Sequence, residues 1–179
     1  MALIFIISGK AKAGKDTTAN YIKMYANSKN FKTINLQFSS YIKMYAKNIS
    51  NWDGSENNKP RVLLQDLGEN IRKNINEYFF IKRIYEDILV YSNYYDIITI
   101  SDARLPEELD IIKEYFPKAI KLHIIRPNFN PYKSEEEKNH PTELALDNYK
   151  NFEHIIMNDK TLDDLKLKIN ELLDNVILK

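Results

Sequence analysis

The sequence predicts a three-layer α/β protein in which a five-stranded parallel sheet is flanked by helices. Three observations lead there. Five short runs are rich in β-branched and aromatic residues, segments with helical spacing separate them, and no proline- or glycine-rich linker divides the 179 residues. Strands that alternate with helices favour parallel pairing with right-handed crossovers. A chain of this length fits a single domain over residues 1–179.

Taken in order, residues 3–8 (LIFIIS) form a continuous apolar run, as expected of a strand covered on both faces. A glycine-containing loop follows, and residues 17–25 have helical character. Residues 33–38 (TINLQF) read as a second, shorter strand. Helices are expected over 41–47 and 61–74, joined by a polar stretch, 48–59, that contains Gly54 and runs into Pro60. Residues 79–91 space their apolar side chains three and four apart, the period of a helix. Residues 96–100 (DIITI) are a third, buried strand, with a helix over 106–115 behind it. Residues 119–125 (AIKLHII) and 152–157 (FEHIIM) complete the strands, and an amphipathic helix follows over 162–177. The long polar excursion, 127–139 (PNFNPYKSEEEKN), reads as a mobile flap rather than a domain boundary. The hexapeptide YIKMYA occurs at 21–26 and 41–46 without a third copy, so it marks two helix faces of biased composition rather than a repeat architecture.

Composition excludes several classes of function. Cysteine is absent, which removes disulfides, zinc–thiolate sites and cysteine nucleophiles together. Twenty-six basic against 25 acidic residues give a net charge of +1, which argues against nucleic-acid binding through a broad basic surface. A hydrophobic fraction of 44% with 28% charged residues fits a folded protein. The longest apolar run, residues 2–7, is too short to span a bilayer and has no basic stretch before it, so the expectation is a cytoplasmic protein without a membrane partner.

The most informative stretch is Gly9-Lys10-Ala11-Lys12-Ala13-Gly14-Lys15-Asp16-Thr17. It has the G-x-x-x-x-G-K spacing of a phosphate loop, it follows a buried strand and it opens a helix, the context that motif requires. Gly9 and Gly14 let the backbone turn tightly, so that successive N–H groups point inward at a phosphate. The helix N-terminus adds partial positive charge, and Lys15 adds a full one. That context outweighs an ordinary strand–turn–helix connection with incidental glycines. Where the usual pattern has Ser or Thr after the lysine, this chain has Asp16 and then Thr17. A carboxylate there either holds magnesium, directly or through water, or caps the helix.

A loop of the form GKxxxGKDT resembles that of the phage-type deoxynucleoside monophosphate kinases, members of the P-loop kinases. Further pieces match in order. Residues 61–68 (RVLLQDLG) are similar to the family's R-x-L-L-Q-x-x-G helix, with Arg72 after it. Residues 101–108 (SDARLPEE) are similar to its D-V-R-F-x-x-E strand end, 140–143 (HPTE) to its H-x-S-E, and the stretch from Asn158 (NDKTLDDL) to its N-D-G-S-L-x-x-L ending. The resemblance implies a P-loop kinase fold with a lid over about 127–145. It also implies ATP and Mg²⁺ as cofactors, a small nucleotide as partner, and transfer of a phosphoryl group from ATP to a nucleoside monophosphate. Phosphomevalonate kinases share the loop and a similar strand end, and a nucleotide-binding regulator without transfer is the rival from another class.

The remaining candidates are weighed beside that resemblance. Asp102 stands at the carboxyl end of a central strand, where ligands of open α/β sheets gather. It anchors magnesium through water or orients the acceptor, or it caps the segment after it; Arg104, two residues on, favours a site. Only five of the 26 basic residues are arginine, at 61, 72, 83, 104 and 126, and arginine is the side chain suited to bidentate phosphate contacts. The resemblance implies that Arg61, Arg72 and Arg104 hold the acceptor phosphate, with Ser39 and Lys43 on the same side and Gln65 at the acceptor base. It places Arg126 over the transferring group and Asn158 at the adenine, while Arg83 reads as structural. Lys15, Asp102, Arg104 and Arg126 are the candidate catalytic residues, and Asp16 and Asp102 the candidate metal ligands. His140 and Glu143, three apart, read as closing or capping the flap; His123 and His154 read as ordinary strand residues. A homodimer is compatible with the sequence, although no apolar stripe identifies an interface.

Overall fold

The computed structural model describes residues 1–132 and 134–177. Its elements are β1 (Leu3–Ser8), α1 (Lys15–Ser28), β2 (Thr33–Leu36), α2 (Ser39–Ile49), α3 (Arg61–Asn74), α4 (Phe79–Tyr91), β3 (Ile97–Ala103), α5 (Pro106–Tyr115), β4 (Ile120–Ile125), α6 (Glu135–Lys138), α7 (Pro141–Leu144), β5 (His154–Met157) and α8 (Leu162–Ile177). The five strands pair in parallel in the order β2-β3-β1-β4-β5. The expected three-layer α/β architecture is what the chain adopts.

Alternation along β1 divides the core, because successive strand residues point to opposite faces. Ile4 and Ile6 pack on one face with Ile98 and Ile100, under Ile84 and Ile88 of α4 and Leu109 and Ile112 of α5. Phe5 and Ile7 pack on the other with Leu122, under Ile22 of α1 and Leu165, Ile169 and Leu173 of α8. Ser8, the last residue of β1, stands opposite both Ala103 of β3 and His123 of β4. The chain that leaves β1 therefore emerges between the ends of its two neighbours.

Where the structure differs from the sequence reading, a hydrogen bond accounts for most of it. The second strand ends at Leu36 rather than at 38, because the amides of Phe38 and Ser39 turn to the Asp102 carboxylate at 2.9 and 3.0 Å and begin α2. The third strand runs on through Ala103, so Asp102 lies within it and not after it. α1 begins two residues early, at Lys15, because Gly14 takes a left-handed conformation (φ 111°) at its N-cap. The polar excursion carries one short helix, α6, and a second, α7, follows it, with His140 capping α7 through the Thr142 amide; Lys133 of the excursion lies outside the described residues. No helix among the described residues is long and apolar enough to cross a membrane.

Ile6 is fully buried at the centre of the sheet. Ile6→Ala is expected to lower the unfolding free energy by about 2–5 kcal/mol through lost burial and the cavity left behind, read from urea midpoints against wild type.

Candidate active site

The loop between β1 and α1 is shaped by its two glycines and held from three sides. Gly9 has φ 145°, and a Cβ there would stand 2.5 Å from the Ile124 carbonyl oxygen, a backbone atom that cannot step aside. At Gly14 a Cβ would meet Asn158 Nδ2 at 2.8 Å. Asn158 itself donates to the Ala13 carbonyl at 2.9 Å, and its own amide is fixed on Ile125 O at 2.7 Å. Across the loop, Ala11 N donates to Glu143 Oε2 of α7 at 3.0 Å. Lys12, between these anchors, has φ 53°, so the backbone turns through a left-handed position there.

Lys15 is buried, and its ammonium donates to Gly9 O at 2.7 Å and Lys10 O at 2.9 Å. Burial, and then the neighbouring Arg104 guanidinium, push its pKa down to about 8, against the opposing pull of Asp16 and Asp102. These four charged residues thus share one electrostatic neighbourhood. His123, stacked on Phe152 and bonded to the buried Ser8 hydroxyl at 2.9 Å, feels the same ammonium: burial first, then Lys15, lowers its pKa. The residue lies within β4, as read from the sequence.

The carboxylates are all engaged. Asp16 Oδ1 accepts from the Ser101 hydroxyl at 2.9 Å and from Gln37 Nε2 at 3.2 Å, and no side chain caps α1. The helix-cap reading of Asp16 is therefore not what the structure contains. Asp102 does cap a helix, but α2 and not the segment after it, with one oxygen on Phe38 N and the other on Ser39 N. Glu108 is buried, and its Oε2 accepts from Arg104 N at 2.7 Å and Leu105 N at 3.1 Å. Burial pushes its pKa up to about 7, with the Asp102 charge adding to the rise while the two amides and Arg72 oppose it. Glu108 was not singled out from sequence, although a glutamate three residues after Leu105 is the spacing of a capping box.

The candidate cations fall into two groups. Arg104 lies with Lys15 and donates through Nη1 to Glu143 Oε1. Arg126 leans toward the loop, with Nη1 at 3.5 Å from Lys12 O, and packs over the Phe129 ring at 3.9 Å. Lys10 is paired with Asp147 at 2.8 Å. Arg72 reaches the end of β3 through its electrostatic contact with Glu108, its guanidinium 5.8 Å from the Phe80 ring centroid. Farther out, Glu56 has its pKa lowered chiefly by Lys59 and also by Lys43 of α2 and Arg61 of α3, so the last two act near Glu56 in the loop between those helices. No hydrogen bond among the described residues joins Arg61 or the exposed Gln65 to the phosphate loop. Arg83 pairs with Glu86 and lies over Tyr41 and Phe79, in keeping with a structural role.

A cavity of about 290 Å³ opens beside the loop, lined among others by Lys10, His123, Arg126, Phe129, Tyr132 and Phe152. A second, of about 230 Å³, lies between Arg72, Phe80 and Glu108. The described residues contain no group of three or more His, Asp or Glu side chains that could hold a metal ion alone. Magnesium does not need one, since it commonly keeps its waters and binds one or two carboxylates together with substrate phosphates. Both hydrogen bonds to Asp16 fall on Oδ1, so the residues fit an ion held at Oδ2 or through water.

A glycine loop that leaves the central strand of a parallel sheet ordered β2-β3-β1-β4-β5, with a lysine opening the next helix, is the arrangement of a P-loop phosphate site. The chain's fold is shared with the APS kinase CysC of Mycobacterium tuberculosis in complex with AMPPNP and APS (TM-score 0.61, 12% identity, 97% of this chain and 98% of that one). Shikimate kinase from Aquifex aeolicus is similarly alike (TM-score 0.56, 14% identity, 98% and 99%). The family of deoxynucleotide monophosphate kinases matches residues 34–169, and the chain belongs to that family. A protein of Acanthamoeba polyphaga mimivirus, provisionally named a deoxynucleotide monophosphate kinase, is 28% identical over 116 residues, 63% of this chain and 56% of that protein. The chain thus spans about half the length of the curated relative that it matches.

Glu108 holds its proton more tightly folded than unfolded. Its stabilising contribution is complete below about pH 4.5 and is lost as pH rises through about 7. The stability of wild type relative to Glu108→Gln should therefore fall by a few kcal/mol between those values. Urea midpoints of both proteins across the range measure it, and parallel curves would show that folding leaves the Glu108 pKa unshifted.

Proposed function

We propose that the protein transfers the γ-phosphoryl group of ATP to the phosphate of a deoxynucleoside or ribonucleoside monophosphate, giving the diphosphate and ADP. The observation that carries this is the close grouping of Lys15, Asp16, Asp102 and Arg104 where the phosphate loop meets the end of β3. Family membership supports a nucleotide acceptor over phosphomevalonate.

In this reading the donor phosphates are received by the α1 N-terminus and by the loop amides from Gly9 to Thr17 other than those of Ala11 and Ala13, which donate to Glu143 and to Lys10 O. Lys15 leaves the carbonyls of Gly9 and Lys10 for the transferring group. Asp16, with Asp102 through water, would hold magnesium, which supplies charge neutralisation between the donor phosphates. Arg104 and Arg72 receive the acceptor phosphate, with Arg61, Lys43, Ser39 and Gln65 along the α2–α3 wall toward the rest of the acceptor. Arg126, fixed against Phe129, lies over the transferring group, and Asn158 shapes the loop from the adenine side. The aromatic cavity beside the loop has room for a base. No general base is required, because an acceptor phosphate is already anionic near neutral pH; alignment and charge neutralisation carry the rate. Residues 127–145 act as a lid within the single domain and keep water from the phosphoryl group.

A coupled ADP-release assay with ATP and magnesium against deoxynucleoside and ribonucleoside monophosphates and phosphomevalonate tests the reading. Turnover on at least one nucleotide is expected, and Lys15→Ala should reduce it by about 10²–10³-fold while the melting temperature stays within a few degrees. Turnover on phosphomevalonate alone would replace the acceptor, and ATP binding without any transfer would favour a regulator. The Lys15 ammonium also predicts a pH limb. In the free enzyme its charge is lost above about pH 8, so kcat/KM for ATP should fall there, and a Lys15→Arg variant with residual activity should not show that limb.

A further inference from the structure

We propose that Glu143 is a positioning residue that sets Arg104 against the phosphate loop, with Tyr132 tying residues 127–132 to the same carboxylate. The proposal rests on the kinase reading above. The Glu143 side chain is 7% exposed. Donors from three separate parts of the chain converge on it. Oε1 accepts from Arg104 Nη1 at the end of β3, and Oε2 accepts from Ala11 N of the loop at 3.0 Å and from the Tyr132 hydroxyl at 2.6 Å. A buried carboxylate is tolerated only when it is paired and its lone pairs are filled, and these three donors do both.

The carrier of this side chain is itself fixed. Pro141 occupies the first position of α7 with φ preset, and His140 Nδ1 meets the Thr142 hydroxyl at 2.8 Å. Glu143 therefore approaches the loop from a turn with little freedom. Arginine has five N–H donors in one plane, so a bond from Nη1 leaves donors for a phosphate, and the Arg104 side chain is 37% exposed. A guanidinium already held in place loses less side-chain freedom when an anion binds. Tyr132 adds the coupling: when residues 127–132 move away from α7, Oε2 loses one of its two donors and the bridge loosens.

The test is a double-mutant cycle of Glu143→Gln and Arg104→Ala, read by acceptor-saturation kinetics on a nucleotide that wild type turns over. Glu143→Gln is expected to lower kcat/KM for the acceptor by about 30–100-fold with KM for ATP changed less than about threefold, and to cost less than about threefold in the Arg104→Ala background. Tyr132→Phe should give a smaller loss that also vanishes without Arg104. Additive losses overturn the proposal. So does tighter acceptor binding by Glu143→Gln, which would make the carboxylate a competitor of the acceptor phosphate. If Glu143→Gln does not fold, Glu143→Asp, with the charge kept and the reach shortened, takes its place in the cycle. A crystal structure of the variant reads the same point without turnover: the Arg104 guanidinium is expected to leave its place beside residue 143, and an unmoved guanidinium overturns the inference. Should wild type transfer to no nucleotide while Arg104 still moves in the variant, the kinase reading fails and the positioning role stands.

Discussion

Everything at the mouth of this sheet depends on how closely the chain after β1 passes the end of β4. A side chain at Gly9 would place its Cβ 2.5 Å from the Ile124 carbonyl oxygen. Only a glycine with positive φ lets the backbone turn there, and the turn decides where the next six residues run. Once the loop is started against β4, Asn158 can reach Ala13 from beyond β5, and Glu143 can reach Ala11 from α7. The loop is thus clamped by three elements far apart in sequence. Its backbone is held in position by these contacts, the kind of preorganisation that an electrostatic site requires.

Clamping also concentrates like charge. Burial first, and then the Arg104 guanidinium, brings the Lys15 pKa down to about 8, so the two cations repel each other at the loop. A phosphate chain placed between them relieves that repulsion, which is a physical reason for the site to favour polyanions. Burial, and then Lys15, also lowers the pKa of His123, which disfavours a further positive charge there.

The strands and long helices were legible because period and turn chemistry report them directly. The boundaries of α3, α4, α5 and α8 coincide with their apolar spacing, and the phosphate loop was readable from nine residues. Other features were hidden for definable reasons. β2 stops short and β3 runs long because Asp102 takes amides from α2, a contact across 63 and 64 residues of sequence that no local pattern announces. The HPTE stretch was visible as a motif, yet its meaning lies in Arg104, Ala11 and Tyr132 meeting one glutamate, which only the fold brings about. Arg61, Gln65 and Lys43 owe their proposed roles to the resemblance, and the folded chain sets them on the α2–α3 wall away from the loop.

The carboxylates show how such a site stays both ordered and cationic. Asp102 accepts the first amides of α2, Glu108 the amides that precede α5, and Glu143 an amide of the loop. In each case an acid is spent on backbone N–H groups, and for the first two those groups belong to the start of a helix, where negative charge is stabilised. Had these acids instead paired fully with Lys15, Arg72 and Arg104, the cations would have been neutralised in place. Only Arg104 meets a carboxylate directly, through one of its two terminal nitrogens, and that contact orients the guanidinium without exhausting its donors. The acids position the backbone and the cations face the space between, so the net pull on a phosphorylated ligand survives the presence of four carboxylates around it.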